Sequence, residues 1–281
     1  MSKLVGGADA TLPWVETSRL NAPGTRFQVL TSRVVGGPVS FLLHLPASYD
    51  DAPERRYPVL YWLHGLQGDQ RQGSGFVKRL LAANAAGRAP EMIVVLVNGL
   101  PASMFCDSAD GRAPVESMLV GDLIPHVDAM WRTLACREMR GLEGMSMGGA
   151  GAAYLGCRYP ERFGLISVLA GALDAPEAFA ARRPELFAGV YGASPAYLRE
   201  HSPWTLVRRQ AEALRERTLL RLVVGEHDEW RAANERFSAE LDDLGLEHDF
   251  ALVPGAGHHY VRLYEGLGDA AWGIYREAFG L

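Results

Sequence analysis

Short apolar runs that take turns with helix-length patterns constrain this chain more than any other feature. Phe27–Val35 and Val39–Leu45 read as two strands joined at Gly36-Gly37-Pro38, a hairpin-type connection. Pro58–Leu63 is a continuous apolar run of the kind buried on both faces of a parallel sheet. Ile93–Val97, Arg137–Glu143, Leu165–Leu169, Leu219–Val224 and Asp249–Val253 supply five more strands. Helical patterns lie between them at Phe76–Ala86, Ser117–Ala135, Met147–Arg158, Trp204–Arg217, Arg231–Leu244 and Arg262–Phe279. Strands alternating with helices imply right-handed crossovers, and so a mostly parallel central sheet of about eight strands flanked by helices. The class is α/β, and a chain of 281 residues, 48% apolar, suffices for a single domain over 1–281. One long stretch, Gly171–Pro203, breaks the alternation with Pro176, Pro184, Pro195 and Pro203. Two readings stand for it: a cap over a site, or a surface excursion with short helices.

Within this frame, Gly144-Met145-Ser146-Met147-Gly148-Gly149 reads as a serine on a sharp strand-to-helix turn. The glycines two before and two after the serine allow the backbone to turn tightly and the following helix to pass close to the strand. An exposed serine hydroxyl becomes a nucleophile when a histidine takes its proton.

Partners are expected at the carboxyl ends of other strands, where sites lie in doubly wound sheets. Gly225-Glu226-His227-Asp228-Glu229 follows one strand, and Pro254-Gly255-Ala256-Gly257-His258-His259 follows the next. Asp228 is the preferred acid because it is third after Gly225, where the loop has cleared the strand end; Glu226 and Glu229 are expected to face solvent. His258 is preferred as the base because it directly follows the glycine-rich turn, with His259 as the alternative. Ser146, Asp228 and His258 in that order match the order expected of such a sheet. The tetrahedral intermediate needs two main-chain donors, expected at the N–H of Met147 and, in the loop His64-Gly65-Leu66-Gln67-Gly68-Asp69, at that of Leu66. Glu143, a carboxylate just before the turn, has no explanation in the sequence.

Charge and composition exclude other classes. A net charge of −5 without a basic stripe argues against nucleic acid. Arg182-Arg183 and Arg208-Arg209 read as solvated pairs on helix faces. No apolar stretch approaches the roughly 18 residues that span a bilayer. Adjacent histidines point in different directions and no second ligand cluster accompanies them, so no metal is expected. Cys106, Cys136 and Cys157 are too few and too dispersed for a disulfide framework. The lead Met1–Glu16 lacks a basic patch followed by an apolar run. The expectation is a reduced, cytoplasmic protein acting on a small molecule.

Taken together the chain resembles the Putative esterase family of α/β-hydrolases, which includes esterase D, S-formylglutathione hydrolase, feruloyl esterases and mycolyltransferases. The resemblance runs from Phe41 to Tyr260. It rests on Leu45-Pro46-x-x-Tyr49, Tyr57-Pro58-Val59-Leu60-Tyr61-x-Leu63-His64-Gly65, Asp122-Leu123-Ile124-Pro125-His126-Val127-Asp128, the serine turn, Tyr159-Pro160-x-x-Phe163, Gly225-x-x-Asp228 and Gly257-His258. It implies one α/β-hydrolase catalytic domain, no cofactor, a Ser146–Asp228–His258 triad and oxyanion donors at Leu66 and Met147. The activity implied is hydrolysis of a small or medium carboxylic ester, with acyl transfer or thioester hydrolysis as alternatives on the same residues. In such enzymes the stretch Asn98–Arg112 often lines the acyl pocket; here a surface loop is the other reading.

Overall fold

The computed structural model describes residues 12–17, 24–215 and 217–280. Most of the lead Met1–Glu16, read above for a targeting signal, lies outside the described residues.

Eight strands form one sheet among the described residues. They are β1 (Arg26–Ser32), β2 (Gly37–His44), β3 (Val59–Leu63), β4 (Ile93–Val97), β5 (Arg140–Met145), β6 (Leu165–Leu169), β7 (Leu219–Gly225) and β8 (Asp249–Val253), in the order β1-β2-β4-β3-β5-β6-β7-β8. β1 and β2 pair antiparallel, as do β2 and β4; every pairing from β4 to β8 is parallel. β3, β4, β5 and β6 are buried along their whole length, which is why β3 and β4 read as unbroken apolar runs rather than alternating ones.

Eleven α-helices complete the described residues: α1 (Ser74–Ala85), α2 (Val115–Met118), α3 (Ile124–Met130), α4 (Met147–Arg158), α5 (Pro176–Arg182), α6 (Pro184–Tyr191), α7 (Pro195–Glu200), α8 (Pro203–Leu214), α9 (Arg231–Asp243), α10 (Tyr260–Leu267) and α11 (Ala270–Phe279). The pleat of β3 divides the core between two layers. Val59, Tyr61 and Leu63 join one cluster with residues of α4, α8 and α9, whereas Leu60 and Trp62 join another with residues of α1, α10 and α11. Each fully buried aliphatic side chain in these layers contributes about 1.5–3 kcal/mol. No helix among the described residues is long and apolar enough to cross a membrane.

Several boundaries differ from the sequence reading, each for a local reason. The hairpin turns at Arg33–Gly36, with Gly36 at φ +73°, and Pro38 lies inside β2 opposite Thr31. Only Phe41–His44 of β2 pairs with β4, so a proline at 38 interrupts no bond on that side. β5 begins at Arg140 rather than Arg137, because the Arg137 carbonyl accepts from Arg140 N–H at 3.1 Å in a turn, while its buried guanidinium binds the Pro160 carbonyl and Thr218 Oγ1, both at 2.7 Å. The expected helix Ser117–Ala135 is α2, a π-helical turn over Leu119–Leu123, and α3 in succession. It stops at Met130 because Trp131 turns extended and the chain then bridges Tyr57 to Thr133. The expected helix Arg262–Phe279 is split at Gly268, whose φ of +54° an L side chain rarely adopts. Between Gly171 and Pro203 the prolines do not break structure. Each of Pro176, Pro184, Pro195 and Pro203 opens a helix at its first position, where a missing N–H costs nothing.

Candidate active site

The carboxyl ends of β3–β6 carry the strain in this backbone. Of seven non-glycine residues with positive φ among those described, six follow these strands: Gln67, Leu100, Met104, Phe105, Ser146 and Ala170. Such residues persist only where surrounding structure imposes them, and they gather at functional sites.

Ser146 sits between β5 and α4 at φ +59°, ψ −115°. Its N–H donates to the Leu169 carbonyl at 2.9 Å, and its own carbonyl accepts from Ala150 and Ala172, both at 3.0 Å. The flanking glycines are a steric requirement. A Cβ on Gly144 would lie 2.3 Å from the Gly148 carbonyl, and one on Gly148 would lie 2.1 Å from the Leu63 carbonyl oxygen.

Two loops bring acid and histidine together. The N–H of Glu226 donates to Val253 O at 3.0 Å and that of His227 to Ala256 O at 2.8 Å, so the loop after β7 is zipped to the loop after β8. Gly225 permits the approach, since a Cβ there would meet Ala256 O at 2.4 Å. Asp228 is buried, and Trp230 N–H donates to its Oδ1 at 2.8 Å. His258 Nδ1 lies 2.9 Å from Oδ2 and 3.1 Å from Oδ1 of Asp228. A carboxylate only accepts, so Nδ1 carries the hydrogen and Nε2 is left free for another partner. Glu226 instead accepts from Gly255 N–H at 2.8 Å, and Glu229 is half exposed, facing Arg183 at 3.7 Å. Ser146, His258 and His259 line one cavity, without a direct hydrogen bond between Ser146 and His258.

Three amides of the loop after β3 are engaged within the protein. Gly65 N–H donates to Gln72 Oε1 at 2.9 Å, Gln67 N–H to Pro101 O at 2.7 Å and Gly68 N–H to Gly65 O at 3.1 Å. Leu66 N–H has no acceptor among the described residues, and Met147 N–H, at the start of α4, has none either. His64 stiffens the loop from below. Its Nε2 accepts from Gly99 N–H at 3.1 Å, so Nδ1 carries the hydrogen and donates to Gly65 O at 2.9 Å. Burial pushes this ring down to about 4.

Both residue sets therefore end at one cavity of about 530 Å³, lined by Leu66, Ser146, Met147 and His258 together with Met104, Phe179, Leu186 and Trp230. Phe179, Arg183 and Leu186 come from the Gly171–Pro203 stretch, and Met104 from the Asn98–Arg112 stretch. The arginines read as solvated are partly engaged: Arg182 and Arg183 lie 5.0 and 5.2 Å from the Trp230 ring, and Arg182 binds the buried Asp174 at 2.8 Å.

Sequence reasoning missed the role of Glu143. Its carboxylate is fully buried and accepts from Ser167 Oγ at 2.8 Å, Tyr264 Oη at 2.5 Å, Arg221 Nη2 at 2.9 Å and Tyr275 Oη. This network ties β5, three residues before Ser146, to β6, β7, α10 and α11. No local signal reveals it, because its partners lie up to 132 residues away.

A family model described as Putative esterase matches residues 32–280. The chain belongs to the Putative esterase family. Membership of this family agrees with the ester-hydrolase class that the sequence implied. A ferulic acid esterase structure superposes with a TM-score of 0.78 at 23% identity, covering 91% of this chain and 98% of that one. An S-formylglutathione hydrolase from Agrobacterium tumefaciens superposes with a TM-score of 0.74 at 19% identity, covering 94% and 99%. At these identities the likeness is one of fold, that of α/β-hydrolases. A Xylanibacter ruminicola protein named endo-1,4-beta-xylanase/feruloyl esterase is 32% identical over 146 residues. That match covers 48% of this chain and 20% of the longer protein.

Proposed function

We propose that the chain hydrolyses carboxylic esters through an acyl-Ser146 intermediate, with His258 as general base and then general acid, and Asp228 as its orienting partner. The observation that carries this reading is the 2.9 Å contact of His258 Nδ1 with the buried Asp228, at the rim of the cavity that Ser146 lines. That contact leaves Nε2 to accept the Ser146 hydroxyl proton as oxygen attacks the ester carbonyl. In ligand-free enzymes this last hydrogen bond is commonly long and tightens in the substrate complex. The oxyanion then takes Leu66 N–H and Met147 N–H, neither of which has a protein acceptor. Proton return from His258 expels the alcohol, and water resolves the acyl-enzyme by the same steps in reverse order of roles.

The acyl group is read as aromatic. Met104, Phe179, Leu186 and Trp230 give the cavity an apolar and partly aromatic wall, and its volume of about 530 Å³ exceeds what a formyl group needs. The name of the Xylanibacter ruminicola relative supports a feruloyl-type ester. In this reading the helices α5 and α6 form the cap whose Phe179 and Leu186 face the substrate.

A panel of aryl and alkyl esters of increasing acyl size, run with wild type and Ser146→Ala, tests the proposal. The expected result is turnover that rises toward hydroxycinnamoyl esters and disappears in Ser146→Ala. Turnover retained by Ser146→Ala contradicts the nucleophile, and a preference for formyl thioesters contradicts the acyl group. Product analysis with an added alcohol separates hydrolysis from acyl transfer on the same residues.

A further inference from the structure

Among the amides that shape the loop after β3, two donate to main-chain carbonyls and one to a side chain. That side chain is Gln72, from the turn Gln70–Gly73 that precedes α1, and its Oε1 accepts from Gly65 N–H at 2.9 Å. Gln72 is itself held in place: its N–H donates to Asp69 O at 3.1 Å, while the Asp69 carboxylate accepts from Arg71 N–H at 2.8 Å. Gly68 supplies the space. A Cβ built there would lie 2.4 Å from Cδ and Nε2 of Gln72 and 2.6 Å from Oε1. The φ of Gly68 is not in the left-handed region, so the missing side chain serves the glutamine amide rather than a backbone turn. Gly65 in turn abuts the nucleophile: a Cβ on it would be 3.6 Å from Ser146 Cβ. Gln72 lines the cavity beside Leu66 and Ser146.

We propose that Gln72 is a positioning residue for the oxyanion loop, and that Gly68 is the gap that admits its amide. Its side-chain carbonyl fixes the peptide of Gly65 and so the direction of the next N–H, that of Leu66. Without this acceptor the Gly65 N–H has only water to satisfy it, the loop gains freedom, and the Leu66 donor drifts from the place where charge develops. The inference rests on the reading of Leu66 as an oxyanion donor.

Four variants test it: Gln72→Leu, Gln72→Ala, Gly68→Ala and the double Gly68→Ala/Gln72→Ala, each measured for kcat, KM and melting temperature on one aryl ester. Displacement of a catalytic group by about 1 Å costs on the order of 10²-fold, and the loss belongs in kcat when it concerns the transition state alone. Gln72→Leu and Gly68→Ala are each expected to lower kcat by about 10²-fold, with KM and melting temperature near those of wild type. The double variant is expected to match Gln72→Ala, because no amide remains for the new methyl group to displace. Wild-type kcat in Gln72→Leu, or losses from Gly68→Ala and Gln72→Ala that multiply in the double variant, overturns the proposal. Failure of the wild type to turn over any ester, or of Ser146 to react with a fluorophosphonate, sinks the underlying reading instead and is scored on the wild type alone.

Discussion

His258 Nδ1 and Asp228 Oδ2 meet at 2.9 Å although 30 residues separate them, because two strand-end loops are hydrogen-bonded to each other before either side chain is reached. The pair is thus a product of the sheet, and its members are separable by mutation.

Asp228→Asn is expected to lower kcat by roughly 10⁴, the scale seen when the orienting acid of a serine protease is made neutral. Glu226→Gln and Glu229→Gln should leave turnover close to wild type, since neither carboxylate reaches the His258 ring. Steady-state kinetics on the three variants decides the matter. A large loss in Glu226→Gln or Glu229→Gln, with Asp228→Asn active, reassigns the acid.

The adjacent histidines are distinguished the same way. His258→Ala should abolish turnover. His259→Ala should move KM rather than kcat, because His259 lines the cavity and is not bonded to Asp228. The opposite pattern exchanges their roles.

Glu143 offers a test of stability rather than chemistry. Breaking a buried ion pair from one side leaves the other charge uncompensated, at a cost of about 3–5 kcal/mol. Glu143→Gln should therefore lower the unfolding free energy from denaturant titration by an amount of that order, and Glu143→Gln/Arg221→Met should recover part of it. A fall for Glu143→Gln of less than about 1 kcal/mol contradicts the account of the network.

His64 makes stability depend on pH. The ring takes a proton near 6.5 in an unfolded chain but is held down to about 4 when folded, chiefly by burial. Between those values the unfolded state binds more protons, so stability falls as pH drops from about 6.5 to about 4 and is fully present above 6.5. The difference amounts to about 3 kcal/mol. Denaturant titrations at pH 7 and 4.5 should show a shallower decline in His64→Asn than in wild type; equal declines remove His64 from the explanation.

The proposed trio was legible because each member follows a strand end and a glycine, Gly144 before Ser146, Gly225 before Asp228 and Gly257 before His258, although only at Gly144 and Gly225 would a Cβ collide with backbone. Leu66 followed from the same rule after β3. Gln72 was not legible, since nothing in the sequence says that its carbonyl turns back onto Gly65. Glu143 stayed opaque for a related reason: a buried carboxylate is explained only by Tyr264, Tyr275 and Arg221, which the sheet and the last two helices bring to it. The helix boundaries missed at Met130 and Gly268 depend on the Trp131 turn with the Tyr57 bridge and on a single left-handed glycine, neither of which alters apolar periodicity.

The most direct measurement is a rapid quench of the enzyme during turnover of an aryl ester, followed by mass analysis of the peptide bearing Ser146. The account predicts the added mass of the acyl group on Ser146, formed in a burst with the first equivalent of released alcohol and absent from Ser146→Ala. Full turnover with no adduct on that peptide, or an adduct on another residue, contradicts it.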